Sequence, residues 1–300
     1  MAQETIGAKI KNLRKEKGLT QEALAKILGY SGKSVIAHIE KGDADMTYEK
    51  MALLLKTFSL DANSLFNGEI VERKVEKQEA PAKEVKEEKK EQPKEETKAV
   101  KKVAIYIHGL NGSSKEAKDF KFLKDRYEVV GLDYQDGNPW DVGPIIRKKF
   151  KELIKGYDEV VVIATSIGAF YAYEYLSDFK IKQAFFISPI ASMFQSIIDL
   201  MVMYDIKDKE LAEQKFIELE DGTVLSYDFY QHVSNDEDHW DIPTNILYPA
   251  YDEVVFSGTM LEFLETHPRS KMTVISDSGH YLFTNEEKAF IRKWIKENLA

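Results

Sequence analysis

Two patterns of hydrophobic and polar residues divide the chain. Up to about residue 66, the apolar positions follow helical spacing, as Ile6, Ile10 and Leu13 do. From residue 103, short apolar runs alternate with amphipathic stretches. Strands are predicted at 103–107, 129–132, 160–164, 184–187, 245–248 and 272–275, and helices at 144–155, 167–177, 258–265 and 284–298. This alternation predicts a mostly parallel, doubly wound α/β sheet with right-handed crossovers.

The pattern of the first 68 residues predicts an all-α bundle of five helices. Thr20 is a suitable N-cap for a helix that Gly29 ends. A third helix is expected from Ser31 through Glu40. Thr47 and Asp61 are suitable caps for a fourth and a fifth helix.

Residues 69–102 are strongly charged and contain Pro81 and Pro93. They have too little apolar surface to form a core, so we predict a flexible linker. The chain is therefore expected to contain a helical domain at 1–68 and an α/β domain at 103–300.

Charge and composition exclude several classes of protein. The net charge of −9 divides into +2 over 1–68, +1 over 69–102 and −12 over 103–300, which argues against nucleic-acid binding by the α/β domain. The absence of cysteine excludes disulfides, thiolate zinc sites and a cysteine nucleophile. The N-terminus has no secretory h-region, and no apolar stretch has the length of a membrane span. These features predict a cytoplasmic protein that does not bind membranes.

The N-terminal sequence resembles the Cro/C1-type (XRE-like) helix-turn-helix family over about residues 5–66. The similarity rests on Leu19-Thr20-Gln21-Glu22-Ala23-Leu24-Ala25, Gly29, Ser34-Val35-Ile36 and Ile39-Glu40-Lys41-Gly42. It implies DNA binding, with helix 31–40 in the major groove. The residues expected to face DNA are Gln21, Lys33, Ser34, Ala37 and His38. The family usually works as dimers, so we expect a homodimer; the alternative is a bundle kept for dimerisation or protein docking.

A candidate nucleophile lies in the sequence Ala164-Thr165-Ser166-Ile167-Gly168, between a predicted strand and a predicted helix. A serine on such a tight turn is held in a strained conformation that exposes its hydroxyl. The alternative interpretation is a simple N-cap, which is the commonest role of serine at a helix start.

The turn after the first strand of the α/β domain contains His108-Gly109-Leu110-Asn111-Gly112. A glycine-rich turn at this point brings a backbone N–H towards Ser166. We expect the N–H groups of Leu110 and Ile167 to form an oxyanion hole. His108 is expected to be structural rather than catalytic.

Two further candidates follow later strands. Asp252 comes after the strand 245–248, and His280 comes in an Asp-Ser-Gly-His turn after the last strand. Loops at the carboxyl ends of parallel strands are where such sheets build sites. Glu253 and Asp277 are the rival acids, and a surface histidine is the alternative interpretation of His280.

Together these residues resemble the α/β-hydrolase family, in particular small esterase-like members, over residues 103–300. The resemblance implies Ser166 as nucleophile, His280 as base and acid, and Asp252 as the residue that orients the histidine. It implies a reaction that needs neither metal nor organic cofactor. Ala164 departs from the glycine that is commonest at this position, and we expect it to be tolerated.

Residues 190–241 separate two strands by more than a normal crossover, which predicts a cap insertion. It contains a helical apolar stripe and a hairpin turn at 220–223; the stripe is Met193, Phe194, Ile197, Ile198, Met201 and Tyr204. If part of this stripe lines the site, the acyl or alcohol portion of the substrate is expected to be small to medium and apolar.

The sequence thus predicts a serine hydrolase for carboxylic esters that is tethered to a DNA-binding domain in a transcription regulator. The partners expected are a small ester or acyl ligand, and DNA through residues 1–68. The alternative is a ligand-sensing regulator whose hydrolase-like domain is inert. Self-cleavage by a serine–lysine pair has little support, because no lysine lies suitably near Ser166.

Overall fold

The computed structural model describes residues 5–30, 32–44, 46, 48–58, 69–73, 100–219, 222–234 and 239–300. Within these ranges the N-terminal part has four helices: α1 Ile6–Glu16, α2 Gln21–Leu28, α3 Lys33–Lys41 and α4 Tyr48–Phe58. The predicted start of the third helix at Ser31, the predicted cap Thr47 and the predicted fifth helix at Asp61 lie outside the described residues. Gly32 is the N-cap of α3 instead.

Local chemistry explains where these helices begin and end. The Thr20 hydroxyl accepts a hydrogen bond from the Ala23 N–H at 3.0 Å, as an N-cap should. Gly29 and Gly42 end α2 and α3 with φ values of 72° and 81°, a left-handed conformation that glycine adopts without strain.

The C-terminal part is built on one parallel sheet with helices on its faces, which confirms the predicted fold class. The sheet strands are β1 Glu69–Arg73, β2 Lys102–Ile107, β3 Glu128–Leu132, β4 Glu159–Thr165, β5 Gln183–Ile187, β8 Thr244–Pro249 and β9 Ser270–Ile275. Their order is β1-β9-β8-β5-β4-β2-β3, and every pairing is parallel. A separate antiparallel hairpin pairs β6 Phe216–Glu218 with β7 Val224–Ser226.

Helices connect these strands. They are α5 Pro139–Leu153, α6 Ile167–Leu176, α7 Met193–Met203, α8 Asp208–Gln214, α9 Tyr227–Val233, α10 Ser257–Thr266 and α11 Asn285–Asn298, with a 3₁₀ segment at Ser114–Leu123. The segment between β5 and β8 contains α7, α8, the hairpin and α9, where the sequence predicts a cap insertion.

Strand β1 corrects the predicted linker at its N-terminal end. Glu69–Arg73 pair with β9 at the sheet edge, with Glu69 opposite Lys271 and Arg73 opposite Ile275. Ile70 and Val71 are β-branched residues that favour strands, and an uncovered sheet edge offers unpaired backbone groups. The dense charges around them conceal this short signal in the sequence. Residues 74–99 of the predicted linker lie outside the described residues.

The amino end of β4 is fixed by an ionic cluster. Glu159 contacts the ammonium groups of Lys102 at 3.2 Å and Lys182 at 3.0 Å and accepts a hydrogen bond from the Tyr127 hydroxyl. Burial would raise the pKa of Glu159, but these hydrogen bonds outweigh it and lower the pKa to about 2. The cluster therefore favours the ionised carboxylate.

The N-terminal helices contact the C-terminal part directly. The Lys9 ammonium lies 2.9 Å from the carboxylate of Glu265 on α10, and the Ser257 hydroxyl donates to the Met46 carbonyl. Buried hydrophobic residues of both parts also belong to one contiguous cluster. Helix α10 is therefore the element of the C-terminal part that carries both polar contacts.

Candidate active site and DNA-facing helix

The predicted nucleophile sits on a strained turn. Ser166 follows β4 directly and has φ 50° and ψ −124°, a conformation that is costly for any residue except glycine. Gly168 allows the turn to close, because a Cβ at this position would lie 2.4 Å from the His108 carbonyl oxygen. Ala164 is fully buried opposite Ile107 of β2, so its methyl group fits where the commonest motif has glycine.

The structure brings the three predicted triad residues together. The Ser166 hydroxyl lies 2.9 Å from Nε2 of His280. Nδ1 of His280 lies 2.9 Å from Oδ2 and 3.0 Å from Oδ1 of Asp252. Asp252 and His280 are both buried, whereas Ser166 is partly exposed. The arrangement can pass a proton from the hydroxyl to the ring while the carboxylate stabilises the resulting imidazolium.

Backbone donors fix the carboxylate. Oδ1 of Asp252 accepts from the N–H groups of Val254 at 2.9 Å and Val255 at 2.8 Å. This tight turn after β8 orients Oδ2 towards the imidazole. Asp252 is therefore the acid that reaches His280.

The two rival acids have other positions. Oε2 of Glu253 accepts a hydrogen bond from the backbone N–H of His280 at 3.1 Å. Asp277 is exposed. Asp252 thus holds the ring of His280, and the adjacent Glu253 holds its backbone. The order of the two acids in the sequence does not reveal which acid has which role.

The turn after β2 lies against the nucleophile. An ideal Cβ on Gly109 would lie 3.1 Å from Cβ of Ser166, so only glycine allows this approach comfortably. Leu110 follows in the same turn with an exposed side chain, and Ile167 is the first residue of α6. Leu110 therefore follows the residue that approaches Ser166, and Ile167 follows Ser166 in the chain. The oxyanion hole formed by their N–H groups stays a prediction.

His108 is buried, and its described ring contacts are with Tyr134 and Gly109. Its ring stacks on Tyr134 at 4.0 Å, and its two nitrogens face the carbonyl oxygens of Gly109 at 2.8 Å and Tyr134 at 3.3 Å. The Tyr134 hydroxyl donates to the His108 carbonyl at 2.6 Å. Burial raises the pKa of Tyr134, so this hydroxyl stays a donor. These contacts fit the structural role that the sequence predicts.

The cap forms a cavity of about 340 Å³ with α6 and α10. Its described lining includes Phe170 and Tyr173 of α6, Phe194 of α7 and Phe263 of α10. The three predicted triad residues are not among the described lining residues. The predicted contact between cap and active site therefore stays a prediction.

Four of the five residues predicted to face DNA lie on α3. Lys33, Ser34 and His38 are exposed, and Ala37 is half-buried. Gln21 lies instead at the start of α2, half-buried, and its side-chain amide donates to Oε2 of Glu40 at 2.9 Å. That amide group is therefore engaged within the domain.

Glu40 also pairs with Arg14, through two hydrogen bonds from the guanidinium. Burial opposes ionisation of Glu40, but the hydrogen bonds from Arg14 and Gln21 dominate and lower its pKa. The sequence analysis missed this buried pair. The signal that could have indicated it is a charged residue at an inward-facing position of each helix, Arg14 in α1 and Glu40 in α3.

Comparisons with known proteins give matches to the N-terminal part and to the C-terminal part of the chain. Residues 7–71 match a family model described as "Helix-turn-helix domain". The fold resembles mouse alpha/beta hydrolase domain-containing protein 10, with a TM-score of 0.51 and 17% identity, covering 65% of this chain and 88% of that one. It also resembles Est1E from Butyrivibrio proteoclasticus, with a TM-score of 0.52 and 16% identity, covering 66% of this chain and 88% of that one.

The chain joins a helix-turn-helix domain to an α/β-hydrolase fold. Comparison with curated proteins gives no match. At 17% and 16% identity, these solved structures support only the fold of the C-terminal part. The chemistry of that part must be argued from its own residues.

Two other kinds of feature are absent from the part of the chain that the structure describes. No cluster of three or more His, Asp or Glu side chains there is suited to a metal ion. None of the helices described has the length and apolar character needed to cross a bilayer.

Proposed function

We infer that this protein is a serine hydrolase that acts on carboxylic esters. The observation that carries this proposal is the continuous chain of contacts from Ser166 through His280 to Asp252. The strained backbone at Ser166 adds support, because such strain is typically retained at functional sites.

In the first half of the proposed reaction, the Ser166 oxygen attacks the ester carbonyl while Nε2 of His280 takes the hydroxyl proton. The N–H groups of Leu110 and Ile167 stabilise the oxyanion of the tetrahedral intermediate. The C–O ester bond then breaks, and His280 gives its proton to the departing alcohol. The acyl group remains bound to Ser166.

In the second half, a water molecule gives one proton to His280 and its oxygen attacks the acyl carbon. The bond between that carbon and the Ser166 oxygen breaks, and the serine recovers a proton from His280. The products are one carboxylic acid and one alcohol. Throughout, Asp252 keeps the ring in the tautomer that accepts at Nε2.

Labelling with a fluorophosphonate tests this proposal without knowledge of the substrate. The full-length protein should become modified at Ser166, as peptide mapping would reveal, and Ser166→Ala should remain unlabelled. Ser177→Ala, at the other end of α6, is the control and should label like the wild type. A wild-type protein inert both to the label and to a panel of short-chain esters would favour the alternative of an inert sensor domain.

We also propose that the helix-turn-helix domain makes the protein a DNA-binding regulator, with the exposed face of α3 in the major groove. The family match and the exposure of Lys33, Ser34 and His38 support this. Lys33→Ala should weaken binding to duplex DNA in fluorescence anisotropy and reduce the salt slope by about 1, as loss of one phosphate contact predicts. Lys15→Ala, on the exposed surface of α1, should not.

A homodimer is the form in which we expect DNA to be bound, because paired half-sites match a two-fold protein. Sedimentation at several concentrations, with and without DNA, measures this directly. A monomer bound singly to DNA would contradict it.

A further inference from the structure

Two exposed aromatic side chains form a pair, and one of them, Tyr281, contacts the imidazole of His280. The ring of Tyr281 is 5.1 Å from that of His280, edge to face, and the ring of Phe283 stacks on Tyr281 at 5.5 Å with an interplanar angle of 15°. The two side chains are 61% and 74% exposed. A paired apolar surface left open next to a reactive group is more characteristic of a binding surface than of packing.

The proposed chemistry determines which part of an ester would lie there. The departing alcohol takes its proton from Nε2 of His280, so its oxygen must come within hydrogen-bonding distance of that nitrogen. The carbonyl oxygen points instead to the N–H groups of Leu110 and Ile167. The group attached to the departing oxygen therefore lies on the histidine side, which is where Tyr281 stands.

The chemistry of the surface indicates the class of alcohol. Two flat rings offer offset stacking and edge contacts to another aromatic ring, but few fixed polar partners to an aliphatic polyol. The balance of −12 over residues 103–300 disfavours alcohols that carry carboxylate or phosphate groups. A neutral aromatic alcohol fits both features.

We propose that Tyr281 and Phe283 form the binding surface for an aromatic alcohol portion of the ester substrate. This inference rests on the proposed hydrolase function for its direction. It concerns recognition of the leaving group and leaves the acyl group open.

Two esters that share one acid test the proposal. Benzyl butanoate and methyl butanoate give the same acyl-enzyme, so any difference in kcat/KM arises before the alcohol departs. The wild type should prefer the benzyl ester about tenfold, as one aromatic contact predicts. Tyr281→Ala and Phe283→Ala should each remove most of this preference through KM.

Two further variants separate recognition from general damage. Tyr281→Phe keeps the ring and should retain the preference. Phe216→Ala removes a side chain of equal exposure, 61%, from the hairpin of the cap and should leave both rates unchanged. Equal losses on both esters in Tyr281→Ala and Phe283→Ala, or no benzyl preference in the wild type, would overturn the proposal.

A binding measurement distinguishes this inference from the proposed function. Saturation-transfer NMR with benzyl alcohol should detect contact with the wild type and a loss of contact in the double variant of Tyr281 and Phe283. If the wild type hydrolyses no ester but this difference persists, the hydrolase proposal fails and the aromatic surface stands. If benzyl alcohol contacts both proteins equally, the aromatic surface is refuted.

Discussion

Replacement of Asp252 by asparagine is the sharpest test of the proposed triad, because it changes one atom without changing shape. Two backbone N–H groups, from Val254 at 2.9 Å and Val255 at 2.8 Å, donate to Oδ1 of Asp252. In Asp252→Asn the amide oxygen must occupy this place. The NH₂ group then faces Nδ1 of His280 from the position of Oδ2, now 2.9 Å away.

The alternative amide orientation would direct the NH₂ group at two backbone donors and leave them unpaired. Each buried unpaired donor costs about 1–3 kcal/mol, so the first orientation wins by several times the thermal energy. An amide donor 2.9 Å from Nδ1 favours the tautomer whose ring proton is on Nε2, where it faces Ser166. The ring then cannot accept the hydroxyl proton, and a wrong tautomer of this kind lowers kcat on the order of 10⁴-fold, or about 5 kcal/mol.

The assay is kcat/KM on a short-chain ester together with the rate of fluorophosphonate labelling, both on full-length protein. Asp277→Asn makes the same chemical change at an exposed loop residue and should match the wild type. Thermal melting should place Asp252→Asn within a few degrees of the wild type. A folded Asp252→Asn protein that retains more than a tenth of wild-type activity would refute the assignment of Asp252 as the orienting acid.

Other predictions follow from contacts outside the triad. Glu253→Ala should lower kcat about tenfold, because it removes the hydrogen-bond acceptor that holds the backbone of His280. Glu253→Gln keeps an acceptor at this position and should restore most of the rate. Equal losses in both variants would contradict a positioning role. Glu159, with a folded pKa of about 2 despite its burial, stabilises the fold above its ordinary pKa near 4.5 and loses this effect as pH falls towards 2. Glu159→Gln should therefore lower the free energy of unfolding by up to about 3 kcal/mol at neutral pH, with the gap closing in acid; a pH-independent difference in denaturant titrations would count against it. Because the chain has no cysteine, Lys9→Cys combined with Glu265→Cys should give a rapid intramolecular bis-maleimide crosslink, visible by intact mass and peptide mapping. Slow crosslinking, or crosslinks only between molecules, would mean that the helical domain does not rest on α10 in solution.

The sequence predicted most of the sheet because buried parallel strands leave an unambiguous signal. All six strands expected between residues 103 and 275 are present, each with ends within two residues of those predicted. The 3₁₀ segment Ser114–Leu123 and β1 escaped prediction. Their apolar residues are too sparse among charges to produce a period, and contacts with the sheet stabilise them instead.

The candidate site also combines features that the sequence predicts with features that it cannot predict. Residue type and place after a strand were enough to nominate Ser166, Asp252 and His280, because parallel strands align their carboxyl ends and any loop there reaches the same edge. The order along the chain could not separate Asp252 from Glu253, which are adjacent. Only the fold decides that one carboxylate meets the ring while the other meets the backbone.

The amino-acid pattern by itself determined the two kinds of domain, the sheet and the residues able to do chemistry, since periodicity and turn chemistry act over a few neighbouring residues. Tertiary structure alone decided what depends on distant segments: the 2.9 Å approach of Ser166 to His280, the pairing of β1 with β9, and the contact of Lys9 with Glu265. Each of these contacts joins positions that are more than a hundred residues apart. Local preferences carry no information about such distances, which are set only when the whole chain packs.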